Sequence, residues 1–286
     1  MKVMVTGSAG FIGQRVIRAL EAAGHQYVRV DRRDSVAPVD LMMISRRHFH
    51  DVGAVVHLAA LADVSGNWNH DGTRERLYED NIFATIALLE SMPAVPIIFA
   101  STAAVYGDAP GRPSYETDVP QPGSPYAATK LAGEALVQAY AARRGTPWYA
   151  LRLVAAVGAG YTHGHIKDFV AQAKGGHVRP RTAGAVRRSA VHVDDVADTI
   201  AALVQPGHPS GIYNVSSSEA WSWRDTVEIM KGGGRFTVHD DATTERGWVG
   251  DPLVSVSGDK AGGIHECARP IADGVREALA ALGWGS

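Results

Sequence analysis

An α/β fold, a parallel sheet doubly wound by helices, is the class this sequence predicts, and three observations predict it. Short apolar stretches alternate with helix-period stretches through the first half of the chain, the pattern of strands joined by crossover helices. The first apolar stretch, at residues 3–5, runs into Gly7, Gly10 and Gly13, a spacing that turns a strand sharply into a helix. Two later stretches end in Asp31 and in Ser101-Thr102, polar groups placed where open sheets of this kind meet their ligands.

Taken in order, strands are expected at 2–6, 27–31, 54–58, 96–101 and 148–153, and helices at about 11–23, 74–91 and 126–143. Gly7 lets the chain leave the first strand, Gly10 lets backbone approach a pyrophosphate without a Cβ between, and Gly13 lets the helix pack close on the sheet. The N–H groups at the start of that helix then face the phosphates. Within it, Val16, Ile17 and Leu20 form one buried stripe. From Gly158 onward the alternation breaks into shorter elements marked by Gly175-Gly176 and Gly232-Gly233-Gly234, with Trp221, Trp223 and Trp248 as bulky aromatics. The expected organisation is a Rossmann dinucleotide-binding domain over 1–158 plus about 188–217. A smaller substrate-binding lobe would be formed by 159–187 and 218–286.

With 286 residues, 45% hydrophobic and 20% charged, the chain reads as neither disordered nor membrane-embedded. Net charge is -2, and the arginine pairs at 32–33, 46–47, 143–144 and 187–188 are scattered among acidic residues, which argues against nucleic acid as a partner. Cys267 is the single cysteine, so neither an intrachain disulfide nor a cysteine metal site is expected. No signal peptide or apolar span is visible, and the expected location is the cytoplasm.

Asp31 stands 25 residues beyond Thr6, where the glycine loop opens. A carboxylate there accepts hydrogen bonds from the adenosine ribose and repels a 2′-phosphate, favouring NAD over NADP. Arg32 and Arg33 follow it and could instead neutralise such a phosphate, so Arg32 is counted with the cofactor site. Tyr126 and Lys130 lie four residues apart at the start of a helix, on one face. A phenol with a pKa near ~10 ionises more readily beside a positive charge, which would make Tyr126 a base near neutral pH. Thr102, leaving its strand at the carboxyl end of the sheet, adds a hydroxyl to the pair.

On these residues the sequence resembles the extended short-chain dehydrogenase/reductases that act on nucleotide sugars. The motifs are Thr6-Gly7-Ser8-Ala9-Gly10-Phe11-Ile12-Gly13, Asp31, Asp40-Leu41, His57-Leu58-Ala59-Ala60, Asn81, Ser101-Thr102, Tyr106-Gly107, Ser124-Pro125-Tyr126 with Lys130, Arg152-Leu153, and Arg188 with Asp194-Asp195. The resemblance implies a catalytic set of Thr102, Tyr126 and Lys130. It implies NAD held by Gly7, Gly10, Phe11, Ile12, Gly13, Asp31, Asp40, Leu41, Leu58, Ala59, Ala60 and Asn81, with Tyr126 and Lys130 on the nicotinamide side. Thr102 would also touch the sugar, and Arg188 and Arg246 would grip the nucleotide diphosphate. A homodimer through the helices beginning near Thr73 and Tyr126 is implied as well.

Departures from the family pattern narrow the reaction. Dehydratases carry an Asp-Glu pair after the threonine; Ala103 and Ala104 stand here, so dehydration is not expected. Keto-reducing members use a cysteine beside the sugar, and Cys267 is far along the chain. Ala155 replaces a usual Asn and Ser189 a usual Asp, which alters the diphosphate contacts. The leading reading is an NAD-dependent nucleotide-sugar 4-epimerase of the UDP-glucose/UDP-galactose type. Net oxidation or reduction of a sugar nucleotide or uronate, and a dinucleotide-sensing regulator, stand beside it.

No metal is expected: His163 and His165, and His48 and His50, lack acidic or cysteine partners at ligand spacing. Asp194 and Asp195 precede an apolar helix and are read as its cap. Trp221 and Trp223 are read as packing residues.

Overall fold

The computed structural model describes residues 1–62, 73–107, 112–161, 164–180, 187–239, 253–254 and 257–285; the expectations at Arg246, His163 and Trp248 lie outside them. The first half contains β1 (Lys2–Thr6), α1 (Phe11–Ala22), β2 (Gln26–Val30), β3 (Val52–His57), α2 (Thr73–Tyr78), α3 (Ala84–Ser91), β4 (Ile97–Thr102), α4 (Pro125–Arg144) and β5 (Trp148–Leu153). The second half contains β6 (Ala155–Val157), α5 (Gly164–Lys174), β7 (His177–Val178), β8 (Arg187–His192), α6 (Val193–Leu203), β9 (Gly211–Val215) and β10 (Ala220–Trp221). It continues with α7 (Trp223–Lys231), β11 (Thr237–Val238), β12 (Leu253–Val254), α8 (Asp259–Gly262) and α9 (Ile271–Ala281).

Six strands form one parallel sheet in the order β2-β1-β3-β4-β5-β9. The chain leaves β1 toward β2 on one side and returns to place β3 on the other, so a crevice opens at the carboxyl ends of β1 and β3. Alternate side chains of β1 serve opposite faces. Val3 and Val5 join Val16, Leu20, Leu151 and Ile200 on one side, while Met4 joins Val55, Leu88, Phe99 and Val137 on the other. The sheet is therefore buried on both faces, as its near-continuous apolar strands require.

Two elements depart from the sequence expectation. The single helix expected over 74–91 is interrupted by a five-residue π-helical turn at Glu79–Phe83, which swings Asn81 into the interior; its side chain bonds the Leu61 backbone and Thr129. Strand β9 did not stand out because polar Asn214 breaks its apolar run. The break has a partner, since the Tyr106 hydroxyl donates to Asn214 Oδ1 at 2.7 Å.

Beyond β6 a third apolar cluster gathers Ile166, Phe169 and Val170 of α5, Trp223 and Val227 of α7, and Ile271 and Val275 of α9. Trp223 meets Phe169 edge-on at 6.5 Å, and the Trp221 indole donates to Thr226 at 2.9 Å. The cap of α6 is His192, whose Nδ1 accepts from Asp194 N at 3.2 Å, rather than either aspartate. Asp195 is buried instead against Arg269, and Asp194 lies 3.5 Å from Arg15 of α1. Both acids thus tie α6 to neighbouring elements, a role invisible in local sequence.

Candidate active site

The crevice begins at the glycine loop. Gly7 has φ 69°, and a Cβ there would lie 2.7 Å from Ala59 N; one on Gly13 would lie 2.2 Å from Gly7 O. At Gly10 a Cβ would lie 3.1 Å from Gly7 O and 3.6 Å from the Arg33 guanidinium. The loop is laced to its surroundings by Gly7 N to Val30 O at 2.8 Å and Gly10 N to Gly7 O at 3.0 Å. A loop this close to its neighbours, running into the N-terminus of α1, fits a pyrophosphate. Phe11 and Ile12, which open the helix, pack into the third and first clusters, and Phe11 meets Tyr161 edge-on at 5.8 Å.

Asp31 sits at the end of β2, where its carboxylate accepts from Ala9 N at 3.0 Å and from Arg33 N at 2.8 Å. Burial pushes its pKa up, but these N–H groups and the Arg33 guanidinium outweigh burial and leave it lowered. The carboxylate is therefore ionised and fixed, as ribose recognition needs. The two arginines separate: Arg32, expected at the cofactor, is clasped by Asp80 through both terminal nitrogens at 2.9 and 2.6 Å. Arg33 lies over the loop instead. Asp40 caps a short turn by accepting from Met42 N at 2.9 Å, and Leu41 is buried behind it.

Opposite the loop, Leu58, Ala59 and Ala60 leave β3, with Leu58 N on Thr6 O at 3.2 Å and Ala59 N on Thr6 Oγ1 at 3.2 Å. His57 bridges Thr6 at 2.7 Å and Thr85 at 2.9 Å. Thr85 donates to Asn81 O, so it must accept from His57 Nε2–H, which fixes the tautomer; burial and then the charge of Lys130 drive this ring to about 3, leaving it neutral. Asn81 closes the chain by joining Leu61 to Thr129 on α4. Its side-chain contacts thus link the segment after β3 to α4. As a prediction, Asp31→Asn weakens NAD about tenfold to a hundredfold, the loss of a charged hydrogen bond, and narrows the NAD-to-NADP ratio. Fluorescence titration with both dinucleotides measures it, and an unchanged ratio would refute the assignment.

The start of α4 is set by Ser124, whose hydroxyl accepts from Ala127 N at 3.2 Å, and by Pro125 in the first turn. This cap sets Tyr126 at the start of the helix, with its hydroxyl near that of Thr102. Thr102 Oγ1 accepts from Ala104 N at 3.2 Å. Lys130, one turn on, lies 4.4 Å above the Phe99 ring. Thr102, Tyr126 and Lys130 are thus brought together at the carboxyl end of β4.

Electrostatics correct the expectation that the ammonium lowers the phenol. Burial pushes Tyr126 up to about 12, opposed by the neighbouring Thr102 hydroxyl. Burial likewise pulls Lys130 down to about 7, opposed by Glu134. Desolvation dominates both groups because each is nearly sealed from water.

Arg188 of β8 is partly buried, and burial lowers its pKa. His165 lies on α5 within reach of the charge of Arg188; burial first and then that charge lower it to about 4. It is 3.4 Å from Thr226. His48 and His50 are held by Ser45 and Asp51.

Fold and site together define a doubly wound dinucleotide-dependent enzyme with a Thr-Tyr-Lys centre. A model of the NAD dependent epimerase/dehydratase family matches residues 3–216. The chain belongs to that family, whose cofactor is NAD. UDP-glucose 4-epimerase of Lacticaseibacillus casei is 29% identical, over 90% of this chain and 88% of its own. The Streptomyces lividans UDP-glucose 4-epimerase is 26% identical, over 83% and 82%. Among solved structures, MoeE5 in complex with UDP-glucuronic acid and NAD superposes with a TM-score of 0.86 at 26% identity, covering 99% of each chain.

Proposed function

We propose that this protein is an NAD-dependent nucleotide-sugar 4-epimerase acting on UDP-sugars of the glucose/galactose type. The observation that carries the reading is the Thr102–Tyr126–Lys130 constellation with apolar Ala103 and Ala104 beside it. The names of the relatives supply the nucleotide and the sugar class.

NAD, when bound, would supply a reversible two-electron oxidant for the sugar carbon. Gly7, Gly10, Gly13 and Asp31 would hold its phosphates and adenosine ribose, and Lys130 its second ribose. Tyr126 Oη, as phenolate, takes the proton of the sugar 4-hydroxyl and returns it when the 4-keto sugar is reduced on its other face. Thr102 orients that oxygen by hydrogen bonding. Ala103 and Ala104 put no acid after the threonine to eliminate water. The segments 159–187 and 218–286 form the substrate lobe in this reading; Arg246 of that lobe and Arg188, at the edge of the dinucleotide-binding domain, grip the diphosphate.

Incubation with UDP-glucose and UDP-galactose, with chromatography and nicotinamide absorbance followed together, tests the proposal. Interconversion with no build-up of reduced nicotinamide is expected. Product formed in step with NADH would replace epimerisation by net oxidation. The reading also includes a cytoplasmic homodimer through α2 and α4, near which Tyr78 and Phe83 are 37% and 52% exposed. Light scattering is expected to give twice the chain mass, and monomer alone would overturn the dimer. No described helix is long and apolar enough to cross a membrane.

A further inference from the structure

The chain leaves the parallel sheet at the carboxyl end of β5, makes β6, and enters the third apolar cluster through residues 158–161. Gly158 and Gly160 in this segment have φ 153° and 87°, and Tyr161 N closes a turn on Gly158 O at 3.2 Å. Between the two glycines the Ala159 backbone is tied on both sides. Its N–H donates to Glu277 Oε2 of α9 at 2.9 Å, and its carbonyl accepts from Arg15 Nη2 of α1 at 2.7 Å.

Arg15 and Phe11 both reach this segment from α1, where their spacing of four residues puts them on one face of the helix. The Phe11 ring meets Tyr161 edge-on at 5.8 Å, and Arg15 Nη1 stands 3.5 Å from Asp194 of α6. The junction is not filled, since a cavity of about 260 Å³ lies beside it, lined by Phe11, Gln14, Arg15, Arg18, Ala159 and Gly160. A charged hydrogen bond and a ring edge, rather than close packing, therefore hold the segment against α1. With a glycine on each side of Ala159, the backbone itself does little to fix the course of the chain, whereas a guanidinium on a carbonyl is among the stronger single contacts. The same helix, at its first turn, would face the NAD pyrophosphate.

We propose that Arg15 is a positioning residue: by holding the Ala159 carbonyl it seats 158–161 on α1, so that filling the cofactor site orders the segment that leads into the substrate lobe. This rests on the reading of the glycine loop at 7–13 as the pyrophosphate site and of α5 as part of that lobe. Free of Arg15, the segment keeps its Glu277 tie to α9 but loses its hydrogen bond to the cofactor helix.

Amide hydrogen exchange of the full chain with and without NAD tests the proposal, because it reads local opening residue by residue. In the parent, NAD is expected to slow exchange of the hydrogen-bonded Ala159 and Tyr161 amides by about tenfold, within the range of coupling between two sites, and to slow the Gly7 and Gly10 amides as well. Arg15→Gln is expected to remove the slowing at Ala159 and Tyr161 while keeping it at Gly7 and Gly10. A merely structural Arg15 would leave the ratio of the two rates intact, its loss speeding exchange of the segment equally with and without NAD, and that result would overturn the proposal. Should Arg15→Gln fail to fold, Arg15→Met, which keeps an apolar stem along α1 and donates nothing, decides in the same way. Slowing at Gly7 and Gly10 with none at Ala159 and Tyr161 in the parent refutes the Arg15 tie alone. No slowing at either place refutes the loop as the cofactor site, and the tie with it.

Discussion

Tyr126→Phe is expected to lower turnover of UDP-glucose by about 10²–10⁴-fold, the range contributed by one positioned acid–base group, while leaving NAD bound. The substitution removes one oxygen atom. The ring stays in its buried place, α4 keeps its Ser124 cap, and the glycine loop and Asp31 are untouched. What is lost is the hydroxyl that the proposed mechanism makes the acceptor of the sugar proton, beside Thr102. Turnover by chromatography, with NAD released on denaturation measured by absorbance, separates the two roles. Full activity in this variant would exclude Tyr126 as the base, and loss of NAD along with activity would make it a cofactor anchor instead. Because burial holds the phenol near 12, the parent activity is also expected to rise with pH up to the point at which Lys130 loses its charge.

How much of this site the sequence revealed depended on whether a residue's role was set locally. The glycines were legible because backbone approach and positive φ exclude other residues. Tyr126 and Lys130 were legible because helix geometry alone puts them on one face. The choice between Arg32 and Arg33 was not, since it turns on Asp80, which arrives from a π-helical turn far along the chain. The cap of α6 went to His192 because Asp195 was already committed to Arg269, 74 residues away. The phenol's elevated pKa was equally hidden, for spacing records neighbours on a helix and says nothing of how completely the strands around them exclude water. Arg15 had no local signal, since the carbonyl it holds lies 144 residues on. Residues fixed by backbone geometry could be read, and residues fixed by a distant charge or by burial could not.

Gly13→Ala tests the feature with which the chain begins, and two effects compete. In a helix interior alanine is favoured over glycine by about 0.8–1.0 kcal/mol, so propensity alone predicts a gain. The added Cβ, however, would lie 2.2 Å from Gly7 O and 2.9 Å from Ser8 Cα, both backbone atoms, and Gly7 is itself pressed on Ala59. No side chain can rotate away, so the loop must shift, at a cost of about 1–3 kcal/mol for overpacking. Overpacking outweighs propensity, and the displaced atoms are those that would face the pyrophosphate. The expected result is NAD binding weakened at least ~10-fold, roughly 1.4 kcal/mol, together with a lower melting temperature. Gly262→Ala serves as the control, since a Cβ there meets nothing within 4 Å, and it should leave NAD binding unchanged without lowering the melting temperature. Undiminished NAD binding in Gly13→Ala, measured by calorimetry on protein stripped of nucleotide, would show that the cofactor does not depend on this loop and would remove the physical basis of the assignment.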